Sequence, residues 1–147
     1  YDLLEDKWRI MPSHPVPGKS SSTVAFKDNI FVIGGFYNKD ATITYGQYHE
    51  IIEYEDHLDH VRVFDTSSFE WKEDNCFPRL PFPVRGASIC VYNGRLTLTG
   101  GLSSFNSTHM FENGRTILQL FEEDGEWKEM DFQLPISMPA LIDGHTF

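Results

Sequence analysis

The side chains best placed to do chemistry crowd into one stretch, "FYNKDATITYGQYHEIIEYEDHLDH" (36–60). His49, His57 and His60, with Glu53 and Asp56 close by, are imidazole and carboxylate donors of the kind zinc takes, and the His57-x-x-His60 spacing fits a turn of helix. No second ligand pair follows at a recognised spacing, so these histidines are read as structural or surface residues and no metal is expected. Two glycine pairs, in "IFVIGGF" (30–36) and "LTLTGGL" (96–102), raise phosphate binding instead. A phosphate cradle needs glycines leading into a helix N-terminus at GxGxxG or GxxxxGK[ST] spacing, and neither pattern is present. Cys76 and Cys90 form no ligand spacing and no disulfide framework, and no nucleophile–base constellation stands elsewhere. The chain is read as a non-enzyme without cofactors or catalytic residues.

Binding chemistry is better represented. Tyr37, Tyr45, Tyr48 and Tyr54 are rigid amphipathic side chains suited to binding surfaces. From Glu50 to Asp59 there are five acids and no Lys or Arg, which makes the stretch either a docking surface for a basic partner or a plain solvated segment. An extra hairpin in which Ile51, Ile52 and Tyr54 cover a sheet edge is the third reading.

The whole chain narrows these choices. Its net charge of −10 disfavours nucleic acid and anionic membrane, both of which demand a basic face. Apolar runs of about four residues fall far short of the roughly 20 that cross a bilayer. The 40% apolar and 14% aromatic content suffices for a packed core within 147 residues. Two cysteines lean toward a reducing, cytoplasmic compartment, although the sequon Asn106-Ser107-Thr108 leaves secretion open.

The elements that must position these residues repeat. "TVAFKDNIFVIGG" (23–35) lies over "ICVYNGRLTLTGG" (89–101): a β-rich segment, a tight turn, a second β-rich segment, then Gly-Gly. Asp28-Asn29 and Asn93-Gly94 are the expected turn centres. Further on, Phe64-Asp65 precedes Trp71 and Phe121-Glu122 precedes Trp127, each after an apolar strand; Tyr1-Asp2 precedes Trp8 in the same way. The glycine pairs are 66 residues apart, a period in the roughly 50-residue repeat class with insertions. Ile30–Ile33 is apolar at every position, which predicts a strand covered on both faces.

An apolar strand ending in Gly-Gly, then an aromatic-acid pair, then Trp resembles the kelch repeat, in which each repeat is one four-stranded blade of a β-propeller. The resemblance implies an all-β chain of four-stranded antiparallel blades in an incomplete ring: the end of one blade (1–8), a full blade (20–74) with a long b–c loop (36–60), a second full blade (86–130) and the start of another (137–147). It makes Trp8, Gly34, Gly35, Phe64, Asp65, Trp71, Gly100, Gly101, Phe121, Glu122 and Trp127 structural residues, with the tryptophans filling wedges between blades. Phe64-Asp65 and Phe121-Glu122 depart from the family's usual Tyr-Asp. Because Tyr1 and Phe147 fall inside the pattern, further blades are expected from the same longer chain or from other copies.

In a four-stranded blade the b–c loop emerges at the same end as the d–a link to the next blade. The short turns here are at the other end, so function is expected at the b–c end. The resemblance makes Arg85, at a d–a junction, an anchor for acidic peptides, since its planar fork suits carboxylates; a structural ion pair is the alternative. Tyr37, Tyr45, Tyr48 and His49, with Ser103, Ser104 and Phe105 in the second b–c loop, complete the expected partner-binding set. The family includes substrate adaptors of ubiquitin ligases and actin-binding proteins, and, less in keeping with these residues, copper oxidases.

Overall fold

The computed structural model describes residues 1–16, 18–45, 48–104 and 111–135. Thirteen strands run through them. In the first repeat these are β1 (Ser22–Phe26), β2 (Asn29–Ile33), β3 (Phe36–Tyr45), β4 (Tyr48–His57), β5 (Val61–Asp65) and β6 (Glu70–Trp71), followed by β7 (Val84–Arg85) in the link. The second repeat holds β8 (Ser88–Tyr92), β9 (Arg95–Thr99), β10 (Leu102–Ser104), β11 (Phe111–Asn113), β12 (Ile117–Phe121) and β13 (Glu126–Glu129).

Two four-stranded antiparallel sheets, β1-β2-β5-β6 and β8-β9-β12-β13, stand side by side with their first strands adjacent. Gly86 N–H donates to Ser20 O at 2.7 Å, and the Ser22 hydroxyl donates to Ala87 O, joining the two inner edges. Phe31, Ile33, Val61 and Val63 of the first sheet pack with Leu96, Leu98, Leu118, Leu120 and Trp127 of the second to make the core. Register explains why: Phe31 lies opposite Val63 and Leu98 opposite Leu118, so each set shares one face of its sheet.

Three expectations need correction. Ile30 and Val32 are only half-buried, so β2 alternates instead of being covered on both faces. Their equivalents 66 residues on, Leu96 and Leu98, are buried because that face meets the first sheet; the face of Ile30 and Val32 does not meet the second. The first a–b turn centres on Lys27-Asp28, since Phe26 pairs with Asn29, and Lys27 takes the positive φ of 54°. Finally, 36–60 is not an open loop. β3 and β4 pair over their whole length, from Phe36↔His57 to Tyr45↔Tyr48, as a two-stranded sheet of their own. His57 ends a strand and His60 precedes another, so no helical turn joins them.

The glycine pairs mark where the repeats touch. Gly35 N–H donates to Val84 O at 2.8 Å, and an added Cβ on Gly34 would stand 2.3 Å from that same oxygen. Glycine is required there by close approach as well as by its φ of 64°.

The tryptophans occupy non-equivalent surroundings. Trp127 is 8% exposed, and its indole N–H donates to Pro78 O in the link at 3.1 Å. Trp71 donates to Pro12 O at 3.1 Å and meets the His14 and Phe64 rings edge-on. Trp8 is 83% exposed and touches the Tyr1 ring, so among the described residues it fills no wedge. Trp71 and Trp127 each reach a proline upstream, 59 and 49 residues away.

The acid positions also diverge. Asp65 accepts from Ser67 N–H at 2.8 Å and Ser68 N–H at 3.2 Å, capping its own turn, and these donors hold its carboxyl below the ordinary carboxylate range. Glu122, one methylene longer, instead pairs with Lys27 of the first sheet at 2.8 Å.

Candidate interaction surface

At one end of the two sheets the chain builds the same junction twice. The Lys19 and Phe36 backbones exchange hydrogen bonds of 2.7 and 3.0 Å, and 66 residues later Arg85 pairs with Leu102. Each b–c segment therefore starts by pairing with the link that enters its own sheet. Both then form hairpins, β3–β4 and β10–β11. Val84 N–H donates to Leu58 O at 3.1 Å, fastening the exit of the first hairpin, at its base, to the link as well.

Arg85 joins the two junctions. Its guanidinium lies 4.4 Å from the centre of the Phe36 ring, over its face, where the ring's quadrupole attracts the cation. Phe36 carries no signal in the sequence that ties it to Arg85. Tyr37 and His57 line an open cleft of about 510 Å³ with Pro15, Val16, Leu58, Asp59 and His60. His60 lies 3.8 Å from the Asp59 carboxylate.

The expected site residues do not converge on one pocket. Tyr37 and Arg85 stand at the base of the junction. Ser103 also lies there, paired with Val84, but it is 2% exposed and lines an inter-sheet cavity of about 240 Å³. Tyr45 and Tyr48 sit at the distal end of the ribbon, nine register steps from Phe36, or roughly 30 Å at about 3.4 Å per residue, and His49 is one step nearer. No side chain of ordinary length bridges that gap. Register further places Tyr45 and Tyr48 on the face of Tyr37, and His49 on the opposite face with Thr44. Ser104 pairs with Phe111 in β10–β11, while Phe105 and the blade start expected at 137–147 lie outside the described residues.

Among the described residues no three His, Cys, Asp or Glu side chains stand together as a metal set. Cys76 and Cys90 are free and exposed, and partial burial pushes the Cys76 thiol upward, away from thiolate reactivity. No helix among the described residues is long and apolar enough to cross a membrane.

No family model matches the chain. Kelch-like protein 40a of Danio rerio is 31% identical over 101 residues, 69% of this chain and 14% of that protein. The solved structure of YjhT, a kelch-type propeller, superposes with a TM-score of 0.64 over 88% of this chain and 42% of its own, at 14% identity. The chain carries kelch repeats. Its two four-stranded sheets are kelch blades, with their strands in sequence order across each sheet, and two blades alone leave a propeller ring open. The kelch chain spans only a small part of the curated relative it matches. The first b–c hairpin runs to ten residues per strand.

Proposed function

We propose that this chain is a non-catalytic protein–protein interaction segment that binds through its b–c hairpins and d–a links. One observation carries the reading. Both b–c hairpins pair with the d–a links at a single end, and the β3–β4 ribbon there is far longer than closing a blade requires. Loops and hairpins on a rigid scaffold are where binding residues concentrate. Tyr37 and Arg85 are the base contacts in this reading, and Tyr45 and Tyr48 the distal ones. The wider role is substrate recognition for a ubiquitin ligase in the cytoplasm, in keeping with the kelch-like relative.

The register supplies a clean test. Replacing residues 40–53 with a two-residue Asn-Gly turn joins Lys39 to Tyr54, which already face each other. The blades should melt unchanged, and proteins captured by the immobilised intact chain should be lost with the shortened one. Identical capture by both chains would remove the ribbon from the reading.

A further inference from the structure

The two blades repeat their b–c ends bond for bond, so their side chains can be compared position by position. Gly34 N–H donates to His60 O at 2.9 Å, and Gly100 N–H to Thr116 O at 3.2 Å. Leu58 N–H donates to Gly35 O at 2.9 Å, and Gly114 N–H to Gly101 O at 2.7 Å. Leu80 N–H donates to Asp59 O at 2.9 Å, and Leu134 N–H to Arg115 O at 2.8 Å. Gly114 therefore stands where the first blade has Leu58, and Arg115 where it has Asp59. The matching Lys19–Phe36 and Arg85–Leu102 junctions set Ser103 where the first blade has Tyr37.

Two of these exchanges remove bulk. Serine replaces tyrosine and glycine replaces leucine, and both residues line the inter-sheet cavity of about 240 Å³. Its inner wall is apolar, since Val84, Leu98 and Leu118 are each 2% exposed. Ser103 shares that wall at 2% exposure, and its hydroxyl has no hydrogen-bond partner among the described residues. A hydroxyl buried this way forfeits the bonds it makes in water, a cost that a bound acceptor would offset.

The third exchange turns an acid into a base. In the first blade Asp59 is paired with Arg79 at 3.0 Å. In the second, Gln133 holds the place of Arg79, and Arg115 meets no carboxylate among the described residues. Its Nε–H donates to Leu134 O at 2.7 Å and an Nη2–H to Pro135 O at 3.2 Å, which leaves three of its five N–H groups. Arg115 is exposed and lines the cavity from its solvent side. A guanidinium without a counter-charge, set against apolar walls, suits an anion that carries a hydrocarbon tail.

We propose that this inter-blade cavity binds a small aliphatic monocarboxylate. The tail would lie against Val84, Leu98 and Leu118, with Arg115 and the Ser103 hydroxyl donating to the carboxylate. The cavity has the volume of roughly eight waters at about 30 Å³ each, room for a chain of about five carbons. The site lies apart from the distal ribbon and does not depend on the interaction-module reading.

Pentanoate labelled with carbon-13 at its carboxyl, titrated by NMR against the full 147-residue chain, tests this. It should bind saturably, and pentanamide, of similar size but uncharged, should bind at least about tenfold more weakly. Ser103→Ala should weaken pentanoate about tenfold, yet melt no lower than wild type without ligand, because the lost hydroxyl bonds nothing in the described chain. Added pentanoate should raise the melting temperature of wild type more than that of this variant. Arg115→Gln should weaken binding at least as much as Ser103→Ala. Arg95→Gln removes a cation beside the a–b turn of the same blade and should leave binding unchanged. No saturable binding, equal binding of pentanamide, unaltered affinity in Ser103→Ala, or equal losses in Arg115→Gln and Arg95→Gln would overturn the proposal. So would displacement of pentanoate by a glutamate-rich peptide, which would assign the cation to a partner's side chains instead.

Discussion

The carbonyl oxygen of Val84 stands 2.3 Å from where a Cβ on Gly34 would be, while accepting the Gly35 N–H at 2.8 Å. The second blade's link is therefore seated on the first blade's glycine pair, and the pair exists to let it approach. Gly94, at a φ of 73° in an a–b turn, has open space where its Cβ would go. Gly34→Ala should cost on the order of 4 kcal/mol, combining the left-handed backbone penalty with a displaced link. Gly94→Ala should cost about 1–2 kcal/mol from the backbone alone. Urea denaturation of the two variants separates them; equal losses would mean that Val84 is not held there.

The tryptophans make a second pair of unequal outcomes. Trp127→Ala removes a buried indole and its bond to Pro78 O, and should cost about 3–5 kcal/mol. Trp127→Phe keeps most of the ring volume and should lose about 1 kcal/mol for the hydrogen bond. Trp8→Ala, at a site 83% exposed, should fall within about 0.5 kcal/mol of wild type. A large loss from Trp8→Ala would require this residue to be packed in solution.

Asp65 predicts a pH effect of definite sign. Its carboxyl is held below the ordinary range by the Ser67 and Ser68 N–H groups, so the anion is favoured in the folded chain. The stability it adds is present above the unfolded carboxyl's pKa of about 3.9 and is lost as pH falls through the lower folded value. Asp65→Asn keeps an oxygen for the turn but does not titrate. Melting temperatures of the two proteins should converge as the medium is made more acid than about pH 4. A constant gap at every pH would assign the difference to something other than this charge.

Much of the fold is legible in the sequence as a 66-residue offset. It carries Gly34 onto Gly100, Ile30 and Val32 onto Leu96 and Leu98, and the Lys19–Phe36 junction onto Arg85–Leu102. It even corrects the first turn, because Lys27 falls on Asn93, the positive-φ residue of the second. Asn29 misleads there because it is a turn former by type while occupying a strand end. The ribbon was harder to read. Ile51 and Ile52 are adjacent, so one falls on each face and the period-two pattern of β4 breaks locally, while the acids around them look like a solvated run. The Arg85–Phe36 contact joins residues 49 apart through a ring face, and no local pattern announces such a pair.

The central claim is that partners meet this chain at the b–c end. A photoreactive phenylalanine analogue at Tyr45, in the ribbon, and another at Tyr92, exposed beside the opposite a–b turn, test it in one experiment. The account predicts partner adducts from position 45 and none from position 92. Adducts from position 92 alone would place the binding surface at the other end of the blades and contradict it.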